Sequence, residues 1–331
     1  MKQGSFPLFI AAAVLLFLLQ PIPAAAQTTL TLQSQVLVLN PEDTEQQTVG
    51  GLRWRGGLAL SAQDAAFGGL SDLLIDADGR TITAVSDSGR WLRAALLYDA
   101  KGDLSDVVMA QFGALKEADG SPLAGKRRQD AEALARFADR ALVIGFERDH
   151  RLWRLPSVKH LGGQPLPMTA PPGLAGAGSN AGIEALVALA DGSLLAFTEG
   201  QLSGENFRVY LWQNGKGWAD LALKPAGIFR PTGATLLPSG DVMLLERRFT
   251  ILGGVGTRLR QIPKSAIKPG AVLEGREIAE LRAPLTRDNF EGIAAHRAPD
   301  GKLRLTLLAD DNFNALQRTL IVQFELVEDE S

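Results

Sequence analysis

The 331-residue sequence contains no cysteine. Disulfides, thiolate zinc sites, a cysteine nucleophile and a lipidated cysteine anchor are therefore excluded. Histidine is nearly as scarce: only His150, His160 and His296 occur, and their spacing forms no metal-binding motif. A serine triad would have to use one of them, and each reads as a surface or packing histidine. The nearest approach to a nucleophile elbow, Gly69-Leu70-Ser71-Asp72-Leu73, fails at its last position. No P-loop, H-E-x-x-H or EF-hand loop is present. Basic excess is missing as well, with 34 Lys+Arg against 37 Asp+Glu and a net charge of −3. Nucleic acid is accordingly not an expected partner. Helical periodicity is absent apart from a short stretch near Gln129–Ala138.

Long apolar runs are confined to the start. Lys2 is followed by an apolar run from Phe6 to Leu19, then by Pro21, Pro23 and Ala24-Ala25-Ala26. The run is shorter than the roughly 20 residues a membrane span requires. Small residues at 24 and 26 fit a cleavage site, so residues 1–26 read as a secretory signal peptide. The mature chain would begin at Gln27, be periplasmic or secreted, and have no membrane partner after cleavage. Residues 27–331 read as a single domain. Without disulfides, such an exported chain must be held by core burial, for which it is long enough.

What the sequence does contain is a repeat. Five segments share an apolar run, an Asp-Gly-like turn, a second apolar run and a terminal acid. They centre on Asp78-Gly79, Asp139-Arg140, Asp191-Gly192, Ser239-Gly240 and Asp300-Gly301. Glycine takes positive φ without steric cost, so these are hairpin signals. Their recurrence at 48 to 61 residues suits four-stranded propeller blades. The predicted fold is therefore an all-β propeller with five blade hairpins, five- or six-bladed. Thr319–Leu326 and strands within Leu30–Leu60 close the ring from both ends of the chain. A β-sandwich or barrel is the alternative.

In such a blade the first strand lines the central channel and the second returns beside it. The start of one and the end of the other share a face. This predicts a ring of pairs: Glu132 with Glu147, Glu184 with Glu199, and Glu291 with Asp310 and Asp311. Ser71 with Asp87, and Thr232 with Glu246, complete it. Crowded carboxylates need a cation, shared protons or arginines. Oxygen donors without Cys or His favour calcium or magnesium. Asn180, Asn289, Asn312 and Asn314 would add neutral oxygens. Arg127 and Arg128 precede the second hairpin, and Arg90, Arg148, Arg247 and Arg248 follow the acids. Structural pairing of the acids with these arginines is the competing reading.

Several of these segments also resemble a known family. Phe67-Gly68-Gly69-Leu70-Ser71 and Val85-Ser86-Asp87-Ser88-Gly89 form its opening pattern. Gly182-Ile183-Glu184-Ala185-Leu186 and Asn289-Phe290-Glu291-Gly292-Ile293 follow, then Asp310-Asp311-Asn312-Phe313-Asn314 with Gln317 and Thr319. Together they resemble the "esterase-like activity of phytase" family over roughly Leu52 to Leu326. The resemblance implies a propeller related by name to phytases, whose acidic channel mouths hold calcium that bridges substrate phosphate. The sequence departs from a symmetric ring at Asp139-Arg140 and at Thr232.

The resulting expectation is an ester hydrolase acting on phosphoesters with a divalent cation, calcium first, and no organic cofactor. Glu184, Glu199, Glu291 and Asp310 would hold the metal, Glu132 would act as general base, and Arg127, Arg128 or Arg247 would bind the substrate anion. Its partner would be a small anionic ester, and the protein a monomer. A non-catalytic binding propeller and a sugar lactonase-like metal hydrolase are the rivals.

Overall fold

The computed structural model describes residues 28–251 and 253–327. The expected signal segment lies outside the described residues. Among those described, no helix is long and apolar enough to cross a membrane.

The five predicted turns form, and each uses one local device. The turn's opening residue accepts a hydrogen bond from the amide two residues on, which immediately precedes the returning strand. Asp78 accepts from Arg80 N (2.9 Å), Asp139 from Ala141 N (3.0 Å) and Asp191 from Ser193 N (2.9 Å). Ser239 accepts from Asp241 N (3.2 Å) and Asp300 from Lys302 N (3.0 Å). The residue between takes positive φ: Gly79, Gly192, Gly240 and Gly301, with Arg140 at 71° in the second hairpin. A short acceptor followed by a left-handed residue is what the Asp-Gly signal encodes.

Each hairpin heads a blade. Blade one runs Leu70–Ile75, Thr81–Ser86, Arg90–Tyr98 and Leu104–Ala114, with Thr28–Leu30 added at its outer edge. Blade two comprises Ala131–Arg136, Leu142–Phe146, Arg151–Leu155 and Leu166–Met168. Blade three comprises Ile183–Ala188, Leu194–Ser203, Asn206–Gln213 and Gly217–Leu223, with Val272–Leu273 joined in parallel. Blade four comprises Arg230–Leu236, Val242–Thr250, Gly254–Ile262 and Arg276–Leu281. Blade five takes Asn289–Arg297 and Leu303–Asp310, then the C-terminal Thr319–Leu326, then the N-terminal Leu52–Ala62 and Leu32–Leu37. The fifth hairpin and the closing strands thus share one sheet, and the described residues form five blades. The inner strands touch in cyclic order, the fifth returning to the first.

The core lies between blades. Leu245 and Leu259 of blade four pack with Leu305, Leu307, Val322 and Phe324 of blade five, all fully buried. The short stretch near Gln129–Ala138 divides differently from the helical expectation. Only Lys126–Gln129 is helical, and Ala131–Arg136 is the inner strand of blade two.

Candidate functional site

All five inner strands carry a β-bulge at the same place. In blade one Leu70 pairs with Ser86 and Asp72 with Val85, which leaves Ser71 without an opposite residue. The same skip falls on Glu132, Glu184, Thr232 and Glu291 in the other four blades. A bulge re-aims the extra side chain while the flanking residues keep their faces. The residue after each bulge packs against the next inner strand, so it is small in four blades: Ala133, Ala185, Gly233 and Gly292. A Cβ on Gly292 would lie 2.8 Å from Leu73 Cδ2 and 3.0 Å from Asp72 Cα. The fifth case, Asp72, is 1% exposed and accepts a hydrogen bond from Leu134 N of the adjacent inner strand at 2.7 Å.

The three glutamates at bulges, Glu132, Glu184 and Glu291, line a mouth of about 210 Å³ at the end of the axis. Ser71 and Thr232 are too short to reach it. Their hydroxyls bond the carbonyls of Gly69 (3.4 Å) and Phe290 (3.1 Å). Facing the bulges, the second strands and the residues just after them contribute Asp87, Glu147, Glu199, Arg247 and Asp310 to the same mouth. With Asp130, eight carboxylates surround it against three cations, Lys126, Arg148 and Arg247.

Blade four departs from the expected pairing. Glu246 lies opposite Pro231, is fully buried, and does not reach the mouth. Its Oε2 accepts from Arg258 Nη2 (2.7 Å) and Arg260 Nε (2.8 Å), and its Oε1 from Arg260 Nη2 (2.6 Å). One residue later the side chain changes face, so Arg247 takes the seat that acids occupy elsewhere. There it bonds Asn289 Oδ1 and lies 3.7 Å from Glu199 and 3.9 Å from Glu291. Asn289 Nδ2 in turn donates to Glu291 Oε1 at 2.8 Å.

The other candidates separate cleanly. Glu132, Glu184, Glu199, Glu291, Asp310 and Arg247 are brought together, with Asn180 and Asn312 beside them. Arg127 is exposed on the short helix, outside the lining. Arg128 turns away to Glu117 and Asp149 and lies over the Trp153 ring. Lys126 enters instead: its Nζ lies 2.6 Å from Asp87 Oδ2 and also pairs with Asp130. Arg148 Nε holds the other Asp130 oxygen at 2.6 Å. The run Lys126-Arg127-Arg128 signalled a cation here, but a single helical turn leaves open which member faces inward. Asn314 caps a turn by accepting from Leu316 N at 3.0 Å.

Burial and mutual repulsion raise the acids. Burial, then the charges of Glu291, Asp130 and Glu147, hold Glu132 well above the usual carboxylate range. Burial, then Glu147, Glu132 and Glu199, do the same to Glu184. Burial pushes Glu291 to about 7 despite Arg247, and Asp310 to about 9 with the help of Glu291. Glu147 is raised by burial; it accepts from Gly182 N at 2.7 Å and shares a hydrogen bond with Glu184. Two carboxyls joined in this way need a proton between them.

The donor set suits a hard divalent cation, which takes carboxylate and carbonyl oxygens. Oxygens of Asp130, Glu132 and Glu147 all lie within 4.8 Å of one another. This is the tightest carboxylate grouping among the described residues. It contains Glu132, whereas the four acids first assigned to the metal line the rest of the mouth.

Two solved structures are similar to the chain at low identity. A gluconolactonase from Xanthomonas campestris is 14% identical, with 88% of this chain and 90% of that one covered and a TM-score of 0.44. An α-L-arabinofuranosidase from Podospora anserina is 14% identical, with 89% and 97% covered and a TM-score of 0.47. No curated protein matches the chain. The model of the phytase-like family, described as esterase-like activity of phytase, matches residues 65–313, from just before the first bulge to the loop that follows Asp310. The acid-bearing repeat thus lies inside the match, and the chain belongs to the phytase-like family.

Proposed function

We propose that this chain is an exported ester hydrolase whose acidic mouth holds a divalent cation, calcium first, against an anionic phosphoester. One observation carries the reading: five equivalent bulges aim glutamates, wherever the side chain is long enough, into a mouth with far more acid than base. Structural ion pairing accounts for Glu246, which has two arginines to itself, but not for Glu132 or Glu184.

Asp130, Glu132 and Glu147 would hold the cation, with Glu184, Glu199, Glu291 and Asp310 as the remaining acid wall. A bound divalent ion polarises an ester oxygen and lowers the pKa of a bound water. Its charge would also return the raised carboxyls toward their ordinary range. Glu184, hydrogen-bonded to Glu147, would then accept a proton, the role assigned from spacing to Glu132. Lys126, Arg148 and Arg247 would bind the anionic group, Arg247 with its planar fork. A small ester is the only partner this reading requires, and it requires no organic cofactor and no second subunit.

Hydrolysis assays on a phosphomonoester and on a sugar lactone, each with calcium and with chelator, test the reading. Phosphomonoester turnover in calcium that disappears in chelator and in Glu132→Gln is expected. Lactone opening alone would make the chain a lactonase. Calcium binding without turnover of either would make it a binding propeller.

A further inference from the structure

Beside the acidic mouth, the loop after Asp310 holds two consecutive non-glycine residues in the left-handed region, Asn312 at φ 48° and Phe313 at φ 50°. That conformation is unfavourable for residues with a Cβ and persists only where the surroundings enforce it. Here they do. Asp310 Oδ1 accepts from Asn312 N at 2.7 Å. Asp311 Oδ1 accepts from both Phe313 N (3.1 Å) and Gly69 N (2.9 Å), while its Oδ2 accepts from Thr319 Oγ1 at 3.1 Å.

The result is a fixed aromatic ring at the rim. A Cβ on Gly69 would lie 2.5 Å from Phe313 Cε2 and would overlap Asp87 Oδ1. A Cβ on Gly68 would lie 3.1 Å from Phe313 Cε1. Ring and carboxylate therefore converge on one glycine, and Asp87 and the neighbouring Asn312 both line the mouth. One edge of the ring rests on backbone that has no side chain to displace it. The residue is nonetheless 50% exposed. A ring placed to fill space would be covered; this one keeps half its surface toward solvent beside a strongly polar mouth.

We propose that Phe313 is a specificity-determining residue, its ring held against Gly68-Gly69 beside Asp87 as a platform for a planar apolar group on the ester. This rests on the reading of the mouth as a phosphoester site and narrows the substrate class to monoesters of aryl or similarly flat alcohols. Anionic group and organic group then divide between the mouth and the rim.

Non-hydrolysable phosphonates test it independently of turnover. Binding of methylphosphonate and phenylphosphonate to the full mature chain is measured by calorimetry in calcium, for wild type, Phe313→Leu and Phe313→Tyr. Wild type should bind phenylphosphonate about tenfold more tightly, the scale of one aromatic pair. Phe313→Tyr should keep that preference. Phe313→Leu, which still covers the two glycines, should reduce it to about twofold or less, with methylphosphonate affinity and melting temperature unchanged. Equal binding of the two ligands by wild type overturns the proposal while leaving the phosphoester reading intact. So does a full preference retained by Phe313→Leu, or an equal loss of both ligands in it, which would mark Phe313 as mere support for Asn312. Binding of neither phosphonate by wild type overturns both readings.

Discussion

Glu291 and Asp310 face each other across the start of blade five, and burial holds them at about 7 and about 9 against ordinary values of 4.5 and 3.8. A carboxyl whose value is higher folded than unfolded lends stability that is complete at low pH and fades as pH rises through the folded value. In chelator the melting temperature should therefore fall between about pH 5 and about pH 9, the Glu291 share ending near 7 and the Asp310 share near 9. Calcium should flatten the slope, since a cation stabilises the ionised forms. A flat profile in chelator would show that other groups already satisfy these acids. Glu184→Gln and Glu291→Gln remove charge at nearly constant size. Each should be neutral or stabilising in chelator and should reduce the calcium-dependent gain, which at a hundredfold excess over Kd amounts to about 2.7 kcal/mol in the parent and which Glu132→Gln, at a proposed ligand, should abolish. Melts in both buffers check this, and equal losses in both would mark the acids as structural. Residue type alone located these carboxylates, because an acid ending an apolar strand is conspicuous. It did not separate Arg127 and Arg128 from Lys126, since side-chain direction on one turn of helix is set by the neighbours Asp87 and Asp130.

The bulge is the device that makes a strand into a site. The interval between paired acids, 15 residues for Glu132/Glu147 and for Glu184/Glu199, was legible, with a turn signal at its middle. The skipped residue was not, because it reflects how closely inner strands approach at the axis. Blade four shows the consequence. Leu244-Leu245-Glu246 looks like Ala196-Phe197-Thr198-Glu199 with one residue missing, yet a slip of one residue changes the face. Glu246 falls into the sheet and Arg247 into the mouth. Glu246→Ala should then be severe, about 3–5 kcal/mol, because it strands two buried guanidiniums, and calcium should not offset it. Chemical denaturation measures the loss; a change below about 1 kcal/mol would mean that Arg258 and Arg260 find other partners. Gly233 tests the close approach. A Cβ there would collide with the Glu291 carbonyl oxygen. Gly233→Ala should destabilise the fold by about 1–3 kcal/mol and also weaken calcium binding, by displacing Glu291. Loss of stability with calcium affinity intact would separate the packing from the site.

The ring has a single seam. Thr319–Leu326 pairs on one side with Leu303–Asp310 and on the other with Leu52–Ala62. Closure from both ends was readable from the strand-like C-terminal segment left over after five hairpins. The blade number was not, because counting alone does not show that leftover strands complete the fifth hairpin. A chain ending before Thr319 would expose two strand edges and cut the N-terminal strands of blade five off from its hairpin. It should show no cooperative melting transition, by calorimetry, at the temperature where the full chain unfolds; a native-like transition would refute the closure. The seam also bears on when the protein becomes competent. Asp87 comes early in the chain and Asn312 late, and the strand that joins the two ends of the chain into one sheet follows both. Until that strand docks, blade five is held by only one of its two flanking pairings, and the acid ring should lack its fixed geometry. A still-unfolded chain would then capture neither calcium nor phosphate, and binding would switch on in one step as Thr319–Leu326 docks.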